Sequence, residues 1–372
     1  MFVPTPESGE EFDLACLADV GVDPAAFMRA ITPLYDGSMI ETHSLLVLAR
    51  GALIYEDYFV GNTDWIDFDN GVVRVPGERR QWLPGHMHYV ASVTKTVTSL
   101  VAGIAFAELG WSLEDPLAPH LRSEPWLLAG DKSDIAARHF LTMTSGIRWN
   151  EWNGPSESEA WRAPSRFRHL ASLPMDARPG ELWTYNSIAQ NILLLALDRA
   201  VDGGLREFAD KRLFSPLGID DYRWGAFEGD IPDGGARLYL RPRDMAKIGL
   251  LIMNRGSWHG TQLVPLDYMV AATSPQFSAA PSAEHHYGYL LWVRELTFDG
   301  SDPVQYIAVE GDGGNQINIF PDRELIVVTT GGNYGEFPVY EAQAQQLLRR
   351  IVPLFLPHST APEIRDPLPT GF

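Results

Sequence analysis

The chain has 372 residues, of which 45% are hydrophobic and 11% aromatic. This composition excludes a disordered or collagen-like chain, and it provides enough apolar material for one large domain or for two or three of ordinary size. The chain carries 48 acidic and 29 basic side chains and a net charge of −19. We therefore expect neither nucleic acid nor an anionic membrane as a partner, because both are polyanions. The single cysteine, Cys16, excludes an intramolecular disulfide and a cysteine-rich zinc site, and we expect its side chain to be buried.

The start of the chain carries neither the basic segment nor the apolar core of a secretory signal. The longest apolar run, residues 100–107, is far shorter than the ~20 residues that span a bilayer. We therefore expect a cytoplasmic protein without a membrane partner, although a chain trimmed of its leader would have the same sequence.

The predicted elements begin with a β-hairpin at residues 44–60, where two β-rich runs flank the turn Arg50-Gly51. A long apolar helix follows at residues 92–109, with Gly110 at the position of a C-terminal cap. The middle of the chain, residues 111–235, predicts short helices that are interrupted by proline. Their expected positions are 134–145, 157–171, 187–200 and 204–213.

The last third of the chain returns to strands. Its predicted elements are a helix at 241–254, strands at 304–311, 315–321 and 324–332, and a final helix at 338–352. Strands at both ends with helices between them indicate an α+β fold whose sheet is largely antiparallel, because short turns join the strands. We expect a discontinuous α/β domain of residues 1–110 and 236–372, with residues 111–235 as a helical subdomain.

The start of the long helix carries the pattern Ser92-Val93-Thr94-Lys95. Residues i and i+3 share a helix face, so the Ser92 hydroxyl and the Lys95 amine are neighbours. A serine hydroxyl becomes a nucleophile when a nearby group accepts its proton, and the amide groups at a helix start can stabilise a developing oxyanion. The segment after Lys95 has almost no charge, which favours a buried lysine. The alternative is a capped helix with a solvated lysine.

Two further segments can contribute to such a site. Tyr185, in a loop ahead of the apolar run 188–197, can reach a neighbouring helix end, where a phenolate beside a lysine ammonium can act as a general base. The alternative is a packed core tyrosine. Residues 310–315 form a glycine-rich connection between two strands, which lets a substrate approach backbone N–H groups. The alternative there is an ordinary turn.

These segments resemble the penicillin-recognising serine hydrolases, the superfamily of β-lactamases and penicillin-binding proteins. Residues 88–100 resemble the active-site helix of the class C β-lactamase branch, which includes related esterases, D-aminopeptidases and nylon-oligomer hydrolases. Further similar segments follow in the family's order at 140–147, 179–187, 235–249, 311–314 and 327–333. The resemblance covers roughly residues 40–350.

The resemblance implies a role for each site residue. Ser92 is the nucleophile that becomes acylated, Lys95 takes or relays its proton, and Tyr185 is the general base. The oxyanion hole consists of the Ser92 N–H and a second N–H from the turn formed by Asp312, Gly313 and Gly314. The family fold, an antiparallel sheet flanked by helices with a mostly helical domain beside it, places the site in the groove between the two. It implies no cofactor and no metal ion.

Two departures from the family pattern bear on the substrate. The third place of the family's Tyr-x-Asn is Ser187, which can donate one hydrogen bond but lacks an amide. The family's Lys-Thr-Gly is absent, and Asp312 in its place would repel the carboxylate of a β-lactam. We therefore expect an esterase acting on small neutral or cationic substrates, with an amide or D-amino-acid peptide hydrolase second and a β-lactamase third.

Other readings stay open at this point. Trp152, with Trp149 and Trp161, either shapes an apolar acyl pocket or packs in the core. The chain lacks both the G-x-S-x-G elbow of α/β-hydrolases and the H-E-x-x-H of zincins. The alternative from another class is a catalytically inactive relative that binds a small ligand.

Overall fold

The computed structural model describes residues 11–67, 72–151, 156–279, 285–298 and 302–355. Its centre is an antiparallel sheet of eight strands in the order β3-β4-β5-β6-β7-β8-β1-β2. The strands are β1 Thr42–Ala49, β2 Ala52–Tyr58, β3 Phe277–Ser278, β4 His285–Tyr287, β5 Trp292–Leu296, β6 Val304–Gly311, β7 Asn315–Phe320 and β8 Leu325–Gly331. The pairing of β1 with β8, in which Val47 faces Val327, joins the two ends of the chain in one sheet.

Helices cover both faces of this sheet. They are α1 Pro24–Ala30, α2 Val93–Leu109, α3 Ala137–Leu141, α4 Ser156–Arg162, α5 Arg166–Ser172, α6 Gln190–Ala200, α7 Gly204–Ala209, α8 Pro242–Met253, α9 Leu266–Ala272 and α10 Val339–Ile351. The two-residue period of a strand decides which side chain faces which layer. Leu46 and Leu48 of β1 pack with α2 and α8, whereas Leu45 and Val47 pack with α1 and α10.

Among the described residues, four short strand pairs lie outside this sheet. The pairs are Val60–Asn62 with Arg79–Gln81, Trp65–Asp67 with Val72–Val75, Ala226–Glu228 with Ile231–Pro232, and Ser257–Trp258 with Thr261–Gln262. A three-stranded sheet of His88–Tyr89, Leu238–Leu240 and Arg223–Trp224 is the one that matters for the site, because it holds the chain immediately before α2.

Helix α2 crosses the core, and its residues from Val93 to Phe106 are buried. Gly110 ends it in the left-handed conformation with φ 64°. Gly103 lets the ring of Tyr268 pack directly against the helix, since a Cβ there would lie 2.6 Å from that ring. The same tyrosine donates its hydroxyl hydrogen to the carbonyl of Ser99 at 2.8 Å. The predicted helix at 92–109 is thus confirmed.

The predicted α+β architecture is also confirmed, as are the hairpin at 44–60 and the three C-terminal strands. The single helix predicted at 157–171 is wrong, because Pro164 interrupts it and Ser165 caps a new helix by accepting the Arg168 N–H at 3.2 Å. The burial predicted for Cys16 is wrong as well. Cys16 lies exposed in a surface turn, where its N–H bonds Asp19.

The division of the chain at residues 110 and 236 stays a prediction. Within the described ranges, no helix combines the length and the apolar character that crossing a bilayer requires.

Candidate active site

Ser92 is the N-cap residue of α2, at the end of a constrained segment. The strand His88–Tyr89 pairs with Leu238–Leu240, and Ala91 then turns the chain with a positive φ of 48°. A non-glycine residue in this region is uncommon and costs energy that the surrounding structure must offset. The Ser92 side chain makes no capping hydrogen bond to the helix. Its hydroxyl is therefore available to the cavity that Ser92 lines.

Lys95 lies one turn further along α2 with only 1% of its surface exposed. Its Nζ donates to Ser92 Oγ at 2.8 Å and to the carbonyl oxygen of Gly235 at 2.9 Å. The alternative of a capped helix with a solvated lysine is therefore wrong. The Gly235 carbonyl is itself held in place, since the Gly235 N–H donates to Asp233 Oδ1 at 2.9 Å.

Tyr185 completes the group. The Lys95 Nζ lies 4.9 Å from the centre of its ring, and the ring stacks on Trp292 at 5.8 Å with a 12° interplanar angle. Tyr185 is 8% exposed and belongs to the apolar core, but it also lines the cavity. The structure thus brings Ser92, Lys95 and Tyr185 together at the start of one helix.

The next two residues hold the tyrosine loop. The Asn186 side-chain oxygen accepts the N–H groups of Ile188 and Ala189, each at 3.0 Å, and so anchors the loop ahead of α6. Ser187 donates its hydroxyl hydrogen to Glu151, and its N–H also donates to Glu151 Oε2 at 3.1 Å. The Glu151 carboxylate therefore already accepts the hydrogen bonds that the hydroxyl and the N–H of Ser187 can donate.

The glycine-rich connection is a three-residue turn between β6 and β7. Gly311, at the end of β6, lies so close to the chain ahead of Ser92 that a Cβ there would be 2.2 Å from the Val90 carbonyl oxygen. Asp312 lines the cavity, and its carboxylate accepts the Gly335 N–H at 2.9 Å. Burial raises the pKa of Asp312.

Gly313 and Gly314 form the turn itself, with φ values of 84° and 92° that glycine adopts without strain. They lie beside the cavity but outside its lining. The predicted contact of these two glycines with substrate stays a prediction.

The cavity above Ser92 has a volume of about 520 Å³, within the ordinary range of small-molecule sites. Aromatic side chains form much of its wall, among them Trp161, Trp183, Tyr185 and Trp292. Trp161 thus borders the cavity, as one reading of the sequence predicted. Trp149 is buried and donates its indole N–H to Glu151. Trp152 lies outside the described residues.

Several carboxyl groups of the lining were not predicted as site residues. Burial, followed by the charge of Glu151, raises the pKa of Glu157 to about 7. Burial raises the pKa of Asp233 to about 6, although the hydrogen bond from the Gly235 N–H lowers it. Burial also raises the pKa of Glu310 to about 7, against the effect of Arg294. In the part of the chain that the structure describes, no cluster of three or more histidine, cysteine or acidic side chains has a geometry that could hold a metal ion.

Comparison with known proteins identifies relatives of this chain. It is 24% identical to an uncharacterised protein of Alkalihalophilus pseudofirmus over 256 residues, which cover 66% of this chain and 74% of that protein. It is 26% identical to the lovastatin esterase of Penicillium rubens over 226 residues, covering 52% of this chain and 56% of the esterase.

Solved structures share the fold. A candidate 6-aminohexanoate-dimer hydrolase from Bacillus anthracis superposes with a TM-score of 0.68 at 19% identity, over 90% of this chain and 85% of that one. The octameric penicillin-binding protein homologue from Pyrococcus abyssi superposes with a TM-score of 0.63 at 17% identity, over 89% of this chain and 77% of that one. The family model described as Beta-lactamase matches residues 27–348. The resemblance visible in the sequence is therefore confirmed, and the chain belongs to the β-lactamase family of hydrolases.

Proposed function

We propose that this protein is a serine hydrolase that forms an acyl-enzyme on Ser92 and cleaves small carboxylic esters. The observation that carries the proposal is the 2.8 Å hydrogen bond between Lys95 Nζ and Ser92 Oγ, with the Tyr185 ring beside the same nitrogen. A nucleophile within hydrogen-bond reach of a proton acceptor, which a third group orients, is the arrangement that covalent catalysis requires.

The reaction follows from these positions. The Ser92 Oγ attacks the substrate carbonyl carbon while its proton passes to the Lys95–Tyr185 pair. The tetrahedral oxyanion accepts hydrogen bonds from the N–H of Ser92 and from a second N–H of the turn formed by Asp312, Gly313 and Gly314. The C–O bond then breaks, and Tyr185 returns the proton to the leaving alkoxide. Water attacks the acyl-enzyme in the same way, which releases the acid and restores the Ser92 hydroxyl.

The ester preference has two supports. The lovastatin esterase relative cleaves an ester according to its name, and its similarity to this chain includes about half of each sequence. Among the described residues that line the cavity, Arg294 is the only lysine or arginine, and both of its terminal nitrogens already bond carboxylates. A β-lactam carboxylate would therefore find no available cation there.

Small amides are the second candidate substrates. The fold neighbour from Bacillus anthracis bears the name of an amide hydrolase, and the same acyl-enzyme serves both ester and amide substrates. Rates on p-nitrophenyl butyrate, butyryl p-nitroanilide and a chromogenic cephalosporin rank the three substrate classes. We expect the order ester, amide, β-lactam, and a faster β-lactam rate would contradict the assignment.

The nucleophile is tested by hydrolysis of p-nitrophenyl butyrate with Ser92→Ala. We expect this variant to lose at least about a thousandfold in kcat/KM. Ser112→Ala is the matched control, because Ser112 is exposed just beyond the opposite end of α2. Full activity in Ser92→Ala would move the catalytic centre elsewhere. An inactive wild type that also fails to react with a fluorophosphonate would favour a ligand-binding relative.

A further inference from the structure

Carboxyl groups dominate the charge of the cavity. Among the described residues of the lining, the basic ones are Arg294 and His285, whereas seven are acidic. The acidic residues are Asp67, Glu151, Glu157, Asp233, Glu310, Asp312 and Glu341. An enclosed site with such an excess of one sign attracts ligands of the opposite sign.

The guanidinium of Arg294 is already paired with carboxylates. Arg294 is 6% exposed and donates Nη2 to Glu310 Oε2 at 2.6 Å and Nη1 to Glu341 Oε1 at 2.7 Å. These two carboxylates neutralise the guanidinium. The guanidinium on the wall formed by β5 and β6 is therefore already paired through both terminal nitrogens and offers little to an anionic substrate.

The opposite wall differs, because its carboxyl groups form no ion pair with any residue that the structure describes. Glu151 bonds Ser187, and Glu157 lies one helical turn before Trp161 on α4. Asp233 is fully buried behind them. Its Oδ2 atom lacks a hydrogen-bond partner among the described residues.

A buried carboxylate without a basic partner is costly, and a cation that arrives with the ligand removes that cost. The electrostatic surroundings of Glu157 are mixed, with Glu151 and Asp233 repelling a negative charge and Lys95 attracting it. Lys95 is committed to Ser92 and Gly235 by its hydrogen bonds. Arg237 and Lys95 both attract the charge of Asp233, but neither side chain lines the cavity. A cationic ligand would supply a positive group in the cavity itself.

We propose that the substrate carries an ammonium group, which lies against the wall formed by Glu151 and Glu157, with Asp233 behind it. This inference rests on the hydrolase function proposed above and specifies its substrate class. Aromatic rings around the cavity suit the same group, since alkylammonium ions are attracted to aromatic faces. The substrate is then a cationic ester or amide, whose charged end is held beside Ser92 while the carbonyl is attacked.

The test compares esters that differ only in charge. On the leaving-group side the pair is butyrylcholine and 3,3-dimethylbutyl butyrate. On the acyl side the pair is the p-nitrophenyl esters of 6-(trimethylammonio)hexanoate and 7,7-dimethyloctanoate. Each pair exchanges a quaternary nitrogen for a quaternary carbon of nearly the same shape. The measured quantity is the ratio of kcat/KM for the cationic ester to kcat/KM for the neutral ester.

The variant is Glu157→Gln, which removes the charge and keeps the shape. Comparing its ratio with that of the wild type cancels the intrinsic reactivity of the two esters. We expect the ratio to fall about tenfold or more in at least one pair, because a quaternary ammonium loses the Coulomb attraction of one carboxylate in a partly desolvated site. The matched control is Glu159→Gln, an exposed position on the same helix outside the lining, where we expect no change.

The pH dependence of the preference for the cationic ester distinguishes a role for the charge of Glu157 from a purely structural role. The pKa of Glu157 is raised to about 7, so its charge is largely absent at pH 6 and present at pH 8. We expect the preference for the cationic ester to rise between these values in the wild type and to rise less in Glu157→Gln. Asp233, whose pKa is raised to about 6, changes in the same direction and supplies the remainder.

A fall of the ratio in either pair supports the inference and shows on which side of the scissile bond the ammonium group lies. An unchanged ratio in both pairs, while the neutral esters are still cleaved, overturns the inference and leaves the hydrolase function standing. If the wild type cleaves no ester, that function fails instead. Calorimetric titration with the same pairs then decides the inference, which equal affinity for the cationic and neutral members would overturn.

Discussion

Replacing Lys95 by methionine separates a catalytic lysine from a structural one. Lys95→Met keeps the length of the side chain but removes both hydrogen bonds of the ammonium group, to Ser92 Oγ at 2.8 Å and to the Gly235 carbonyl at 2.9 Å. Two hydrogen bonds to a charged group contribute about 3–6 kcal/mol. The side chain is 1% exposed, so removing its charge also removes a desolvation cost of several kcal/mol. These terms nearly cancel, and we expect the free energy of unfolding to change by no more than about 2 kcal/mol.

The loss of catalytic rate in Lys95→Met has no compensating gain. Loss of a positioned proton-transfer group lowers kcat by about 10²–10⁴-fold, which corresponds to ~3–5 kcal/mol in the activation barrier. The assay is kcat/KM on p-nitrophenyl butyrate with the melting temperature measured on the same preparation. We expect activity to fall by at least a factor of about 100 while the melting temperature moves by no more than about 5 °C.

Lys132→Met is the matched control for this experiment. Lys132 is also buried and also donates its Nζ to a carbonyl, that of Ala171 at 3.1 Å, but it lies outside the cavity lining. We expect this variant to keep its activity. Lys95→Met protein that folds normally and retains more than about a tenth of the wild-type rate would refute the assignment of Lys95 as part of the proton path.

Three further changes have definite expected outcomes. Gly311→Ala places a Cβ 2.2 Å from the Val90 carbonyl oxygen, so we expect a lower melting temperature and at least about a tenfold loss of activity. Gly85→Ala, which has open space around it, should change neither quantity. Equal behaviour of the two variants would contradict the close packing at Gly311. Burial lowers the pKa of His88 well below its ordinary value, so its neutral form belongs to the folded state and stability is lost as the pH falls below about 6.5. His88→Gln should therefore flatten the decline of the melting temperature between pH 7 and pH 5, and an unchanged slope would show that other groups control it. Ser187→Ala removes one hydrogen bond to the partly buried carboxylate of Glu151, and we expect a destabilisation of about 1–3 kcal/mol by urea unfolding. An unchanged stability would count against this hydrogen bond.

The sequence points to Ser92 and Lys95 as candidate catalytic residues because their signals are local. Ser92 and Lys95 lie three residues apart on a strongly apolar helix, and that spacing alone places them on one face. The signal for the C-terminal strands is equally local, because a short turn just before Glu324 separates two apolar runs. For Tyr185 the local signal was weaker, and its place beside Lys95 was expected from the resemblance to a family.

The acidic wall has no local signal. Glu151, Glu157 and Asp233 belong to three different segments of the middle region, and none of them stands in a recognisable pattern. They converge because α4, the loop before it and the turn at Asp233 fold over the start of α2. The network of Arg294 with Glu310 and Glu341 likewise joins β5, β6 and α10, and such long-range pairing is determined by the tertiary fold.

The central claim is that Ser92 is the residue acylated during turnover. The most direct measurement is intact-protein mass spectrometry after brief incubation with p-nitrophenyl butyrate and acid quenching, followed by peptide mapping. We predict a mass increase of one butyryl group on the peptide that contains Ser92, and no increase in Ser92→Ala. A butyryl group mapped reproducibly to a different residue of the active enzyme, or an unchanged adduct in Ser92→Ala, would contradict the account.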